Sequence, residues 1–140
     1  MLRTGAVGSG QAMKALNNLV SAGGFLIGIE ALLIGQRFGL DPAVMVDVLN
    51  AATGMNNSTQ KKFKQFVLSR TFDAGFSLGL LAKDLSIALQ VGRETATPAP
   101  LSALCKELVL AAQTMFGSDA DHTAMAMLCE RLAGDELRSP

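Results

Sequence analysis

Apolar residues recur along this chain at the three- and four-residue spacing of helix faces, and no run alternates long enough to nominate a strand. The first such pattern predicts a helix from Ser9 or Gly10 to about Phe38, with Gly39 supplying its C-terminal turn. Asp41 followed by Pro42 reads as the N-cap and first residue of a second helix, ending near Thr53-Gly54. A third, weaker helix starts around Ser58 in "MNNSTQKKFKQFVLS", and "RTFDAGF" reads as a turn. Ser77 caps a fourth helix, "LGLLAKDLSIALQVGRETA", in which Leu80, Leu81, Leu85, Ala88 and Leu89 hold helical spacing. Pro98 and Pro100 break the chain before a fifth helix from about Leu101 to Phe116. Asp121 caps a short sixth helix ending near Gly134, and the tail "GDELRSP" is expected to fray. The predicted class is all-α, and 140 residues suit one domain.

Gly23, Gly24, Gly28 and Gly35 fall inside the first helix, where each costs up to ~1 kcal/mol against alanine. So many in one apolar helix predict close approach by other backbones, with a kinked helix as the alternative. The stretch 19–35 is interrupted by Glu30 and followed by Gln36 and Arg37. Its unbroken apolar part is shorter than the ~18 residues of a spanning helix, which favours a core helix over a membrane span.

Composition sharpens this. With 49% hydrophobic residues, mean hydropathy +0.33, seven Phe and neither Trp nor Tyr, the chain is apolar for a free-standing domain. A second copy, a partner or a further domain is expected to cover part of it, and a homo-oligomer is the first expectation. Lys plus Arg and Asp plus Glu balance at 12 each, so no overall field draws nucleic acid or an anionic membrane. The run Lys61, Lys62, Lys64 reads as a solvated helix face. Cys105 and Cys129 lie in apolar helical patterns without C-x-x-C spacing and read as buried reduced thiols. With no signal-peptide pattern at the N-terminus, they suggest a cytoplasmic protein.

The candidate chemistry opens with "GAVGSGQAMKALNN", Gly5 to Asn18. A dinucleotide fingerprint fails, because Met13 stands where the third glycine belongs and only seven residues precede Gly8. The phosphate-loop pattern fails too, with Gln11 in place of its lysine. What the glycines permit is a tight entry into a helix that projects Lys14 and Asn18 from one face, Asn17 lying ~100° round. Apolar neighbours and a helix N-terminus disfavour a lysine's charged form, as acid–base work near neutral pH requires. A snorkelling surface lysine beside a solvent-facing amide fits the same two residues.

That segment resembles the G-x-x-G-x-G-x-x-x-K-x-x-x-N motif opening the C-terminal helical domain of the β-hydroxyacid dehydrogenases, which include 3-hydroxyisobutyrate dehydrogenase and tartronate semialdehyde reductase. Downstream, "GFSLGLLAKDLSIAL", Gly75 to Leu89, resembles the family's G-F-x-x-x-L-x-x-K-D-L-x-x-A-L segment, and "EALLIGQRFGLDPAVMVDVLNAATG" is similar to the region between. The resemblance covers nearly the whole chain. It implies an all-α domain of the 6-phosphogluconate dehydrogenase C-terminal type that closes over NAD or NADP held by an N-terminal Rossmann domain. Lys14 would be the catalytic acid and base, and Asn18 would bind the substrate, a short 3-hydroxy acid. Lys83 and Phe76 would face the cofactor, and Asp84 would orient Lys83 or nearby backbone. Phe76 is equally a core residue under a turn, and Lys83–Asp84 equally a surface charge pair.

In relatives "GMNNSTQ" lines the substrate pocket, where small polar side chains favour a short polar acid. The absence of a histidine just after the lysine separates this chain from the 6-phosphogluconate branch. His122, the only histidine, is placed at a helix-start surface, and no metal site is expected. No Rossmann domain is legible, "MLRT" standing where one would end, so residues 1–140 read as the C-terminal substrate and dimerisation domain, inactive by itself. The alternative is a non-catalytic helical oligomerisation module that keeps the family fold.

Overall fold

A computed structural model describes residues 8–140; Gly5, first glycine of the opening motif, lies outside the described residues. Among the described residues six α-helices carry the fold: α1 (Ser9–Phe38), α2 (Pro42–Asn50), α3 (Asn57–Lys61), α4 (Leu78–Glu94), α5 (Pro100–Phe116) and α6 (Met125–Ala133). A π-type segment, Phe63–Leu68, follows α3, and a single 3-10 turn, His122–Ala124, precedes α6. Among the described residues the only extended pairing is one bridge between Ser77 and Asp121. The all-α expectation holds.

The ends of the helices follow their local chemistry. Asp41 accepts from Ala43 N, with Pro42 as first helical residue, and Ser77 accepts from Leu80 N. Gly39 and Gly134 take the left-handed conformation that closes α1 and α6. The second helix ends at Asn50, short of Thr53-Gly54, and turns fill the gap. The third begins earlier than expected because Asn56 and Thr59 form a reciprocal capping box, each side chain taking the other's backbone N–H.

α1 is the axis of the domain and packs against all five other helices. It is long and apolar enough to cross a membrane by length and composition, yet Phe25, Ile29 and Leu32 are fully buried in the protein core. There they meet Leu78 and Leu85 of α4, Val109 of α5, Met125 of α6, and Phe63 and Val67 of the π-type segment. The glycines of α1 do admit close neighbours, but these are side chains rather than the expected backbones. Phe63 lies over Gly28, Met45 over Gly35, Asn56 over Gly24 and the Cys105 sulfur over Gly23. A residue without a Cβ makes room for a ring or thioether, not for another helix axis.

The tail does not fray. Leu137 is buried, its N–H donates to Glu130 Oε2 at 2.6 Å, and Arg138 N donates to Gln36 Oε1. Glu130 is itself buried and forms a two-pronged pair with Arg70, at 2.7 and 3.0 Å. Leu137 gives the segment an apolar anchor that its polar composition conceals.

A Cβ on Gly28 would overlap the buried ring of Phe63. Gly28→Ala gains up to ~1 kcal/mol of helix propensity but overpacks the core at a cost of ~1–3 kcal/mol. A net loss of about 1–2 kcal/mol is expected in urea unfolding, whereas a variant as stable as the parent would show that Phe63 can retreat freely.

Candidate active site

One face of α1 descends from solvent into the core. Lys14 is exposed, Asn18 and Ser21 are half-buried, and Ala22 and Phe25 are buried, all at three- or four-residue steps. At the second step Asn18 meets α4: its Nδ2 donates to Asp84 Oδ2 at 2.6 Å. A carboxylate can only accept from it, so the contact fixes which end of the amide faces α4. One N–H of Asn18 stays uncommitted, and its Oδ1 receives only a long contact from Asn17 at 3.4 Å. Asp84 is buried and hence placed to orient Asn18 rather than Lys83. Lys83, its neighbour, is exposed and forms no ion pair among the described residues, so the surface-pair reading of Lys83–Asp84 does not hold.

Beyond Asn18 lies a cavity of about 360 Å³, walled by α1, the end of α3 and the turn before α4. Asn18, Ser21, Lys62, Phe76 and His122 line it, with the exposed Lys61 at its edge. Asn18 and Ser21 also border a second polar groove of about 360 Å³ with Asn56, Asn57 and Ser58, the middle of "GMNNSTQ". Lys14 and Lys83 line neither, but each sits within one helical turn or one residue of the Asn18–Asp84 contact. Lys14 is solvent-exposed in sixth position of α1, so this chain does not supply the apolar enclosure expected around it.

Asp121 fastens the far wall. Its Oδ1 accepts from the backbone N–H of Gly75 at 2.8 Å and of Phe76 at 3.2 Å; its Oδ2 accepts from Thr123 N and from the Thr123 hydroxyl. Burial pushes the Asp121 carboxyl up, but these hydrogen bonds outweigh it and hold the group below the usual range. Gly75 needs no side chain here: its φ of 97° is left-handed. Phe76, half-buried, packs edge-on against the His122 ring at 5.9 Å.

Two residues read as solvent-facing prove to be inside. His122 is 6% exposed, and its Nδ1 lies 3.0 Å from the Phe76 carbonyl, which can only accept. The proton is therefore on Nδ1, and the buried Nε2 is an acceptor without a partner. Burial, then the charge of Lys62, hold the imidazole below its ordinary pKa, against the Phe76 carbonyl and Asp121. Lys62 is half-buried, and its Nζ donates to Ser21 Oγ at 3.3 Å. Burial pushes its pKa down, Asp121 pulling the other way. The signal for Lys62 was its spacing: it shares a helix face with the buried Thr59, three residues back, and the half-buried Phe66, four ahead. For His122 it was the apolar run that follows. Among the described residues no cluster of three metal-binding side chains occurs. Cys105 and Cys129 are buried free thiols, burial raising both and pushing Cys129 up to about 11.

Because the fold depresses the His122 pKa from 6.5, the unfolded chain binds more protons below that value. Its contribution is thus present above pH 6.5 and lost on acidification, with a slope of at most ~1.4 kcal/mol per pH unit. Urea midpoints at pH 7.5 and 5.5 should drop more for the parent than for His122→Gln; parallel drops would show that the ring carries no such linkage.

Residues 8–129 match the family model described as NAD-binding of NADP-dependent 3-hydroxyisobutyrate dehydrogenase. The chain is 30% identical over 130 residues to 2-(hydroxymethyl)glutarate dehydrogenase of Eubacterium barkeri, covering 93% of itself and 43% of that protein. To 2-hydroxy-3-oxopropionate reductase of Escherichia coli K12 it is 31% identical over 133 residues, covering 95% and 45%. Its fold superposes on the Mycobacterium tuberculosis 3-hydroxyisobutyrate dehydrogenase structure with L-serine at TM-score 0.80 and 28% identity, covering 91% of this chain and 45% of that one. The chain thus spans under half the length of these relatives, and it is in their all-α portion that it belongs to the 3-hydroxyisobutyrate dehydrogenase family.

Proposed function

We propose that this chain forms the substrate-binding half of an NAD(P)-dependent hydroxyacid dehydrogenase, with Lys14 as general acid and base. The observation that carries the reading is the Asn18–Asp84 contact. It ties a polar amide, one turn from Lys14, to a carboxylate, one residue from Lys83, at the entrance of a cavity fit for a short polar acid. In oxidation the Lys14 amine takes the proton of the substrate hydroxyl; in reduction its ammonium returns a proton to the carbonyl oxygen. Asn18 offers its second N–H and its Oδ1 to the same substrate, and Asp84 keeps that amide from turning.

A bound nicotinamide supplies or accepts the hydride. The residues present fit an outer edge of such a cofactor: exposed Lys83 suits its charged or hydroxylated parts, and half-buried Phe76 offers an apolar flank. Among the described residues no strand–turn–helix exists to cradle a pyrophosphate. The cofactor would therefore be held mainly by a separate nucleotide-binding domain, whose closure would also enclose Lys14. Without that domain the 140 residues cannot position a hydride donor, and turnover should be negligible. The buried free thiols support a reducing compartment, such as the cytoplasm.

The second reading, an oligomerisation module, is supported by Met13, Val20, Ile27 and Ile34, apolar and exposed at seven-residue steps along α1. The two readings are compatible, since such a stripe suits a homodimer of the enzyme as well. Ile27→Glu should lower the mass seen by light scattering if the stripe joins two copies; an unchanged mass would locate association elsewhere.

With the cofactor-binding domain present, Lys14→Ala should lower kcat/KM for a short 3-hydroxy acid by ~100-fold or more. A loss of only a few-fold would remove Lys14 from the chemistry and leave the module reading.

A further inference from the structure

The reading above leaves Lys62 and His122 unused, although they form the inner end of the cavity. Lys62 is a half-buried cation with one neutral partner, Ser21 Oγ, and no carboxylate pairs with it among the described residues. Next to it His122, 6% exposed, lines the cavity and keeps a buried Nε2 without a partner. Buried polar atoms are seldom left orphaned, and a half-desolvated ammonium gains most from an anion. The cavity residues include no aspartate or glutamate. The Lys62 ammonium sets the preference of this end: Asp121 acts on it only from outside the cavity lining, and a cation in an acid-free cavity suits a negatively charged group supplied from outside.

We propose that Lys62, Ser21 and His122 form a subsite for a second carboxylate of the substrate, so that the hydroxy acid acted on is a dicarboxylate. The proposal names the substrate class of the dehydrogenase site and rests on that reading for the word substrate. The ladder Lys14, Asn18, Ser21 spans two turns of α1, roughly 10 Å, with reactive and anchoring lysines at opposite ends. The second carboxylate thus lies a few bonds beyond the carbon bearing the hydroxyl. One ammonium without a nest of backbone amides suits a carboxylate better than a doubly charged phosphate.

His122 completes the recognition. The charged groups facing its ring are Lys62 and Asp121; α1 turns Phe25 toward it and the turn before α4 turns Phe76, both neutral. An arriving carboxylate offsets the Lys62 charge that disfavours the imidazolium. The ring is then easier to protonate, taking a proton from solvent at Nε2.

Because His122 is the sole histidine, its ring nitrogens give one set of signals in a 15N spectrum of the 140-residue chain. Glutarate should shift Nε2 saturably toward its protonated position, with valerate, the monocarboxylate of equal chain length, at least ~10-fold weaker. Lys62→Gln should abolish the glutarate response and Lys62→Arg should keep it, the latter guarding against a mere loss of fold. Equal responses to both acids, or a glutarate response that survives Lys62→Gln, would overturn the subsite. Joined to a cofactor-binding domain, Lys62→Gln should lower kcat/KM for 2-(hydroxymethyl)succinate at least ~10-fold more than it lowers that for 3-hydroxyisobutyrate. An equal loss on both would mean that Lys62 holds the first carboxylate, which also overturns the proposal. Lys62-dependent glutarate binding with turnover indifferent to Lys14→Ala would sink the dehydrogenase reading and spare the subsite. Lys14-dependent turnover without a glutarate response would do the reverse.

Discussion

A buried carboxylate must find donors or lose its charge, and in this domain Asp84 finds the amide of Asn18. The contact spans two helices far apart in sequence, and both candidate lysines take their positions from it. Lys14 is one turn up α1 from the amide, and Lys83 is the residue before the carboxylate. Neither lysine is held by a partner of its own among the described residues, so their placement is inherited from α1 and α4. Those helices are locked by Phe25, Ile29 and Leu32 against Leu78 and Leu85. The placement of both candidate lysines is thus a property of the core.

Asp121 plays the corresponding part for the inner wall. Four donors from Gly75, Phe76 and Thr123 converge on it, and the same strap brings the Phe76 carbonyl to His122. That carbonyl receives both the His122 backbone N–H, at 2.7 Å, and the ring Nδ1. The tautomer of a buried histidine is therefore dictated by backbone two elements away. The ring lies near a half-buried lysine, and two groups that repel when both charged line one cavity.

Helix ends were legible because they depend on neighbours in sequence. Asp41, Ser77, Gly39 and Gly134 act within a turn of themselves, and each does what its residue type predicts. The resemblance likewise singled out Asn18 and the Lys83–Asp84 step, and the fold brings Asn18 and Asp84 into contact. Burial at helix ends was not legible, because it is decided by distant packing. Lys62 looked like one of three solvated lysines until the π-type segment turned Phe63 and Val67 inward and carried it beside α1. His122 looked like a surface residue until Phe25 and Phe76 enclosed it. Leu137 hid in a polar tail whose anchor, Glu130, is needed by Arg70 from the other side.

On the proposed reading, the exposure of Lys14 and the partial burial of Lys62 divide the chemistry. An amine that exchanges protons with substrate in both directions needs a site that can be opened and closed, and Lys14 stands where a second wall can cover it. A recognition group works best already desolvated, because its cost of leaving water is met in folding rather than in binding. Lys62 meets that cost through α1 and the π-type segment, with Ser21 Oγ as a neutral placeholder that an anion can displace or supplement. Both lysines share one side of α1, and the depth of each along that helix suits it to a different task.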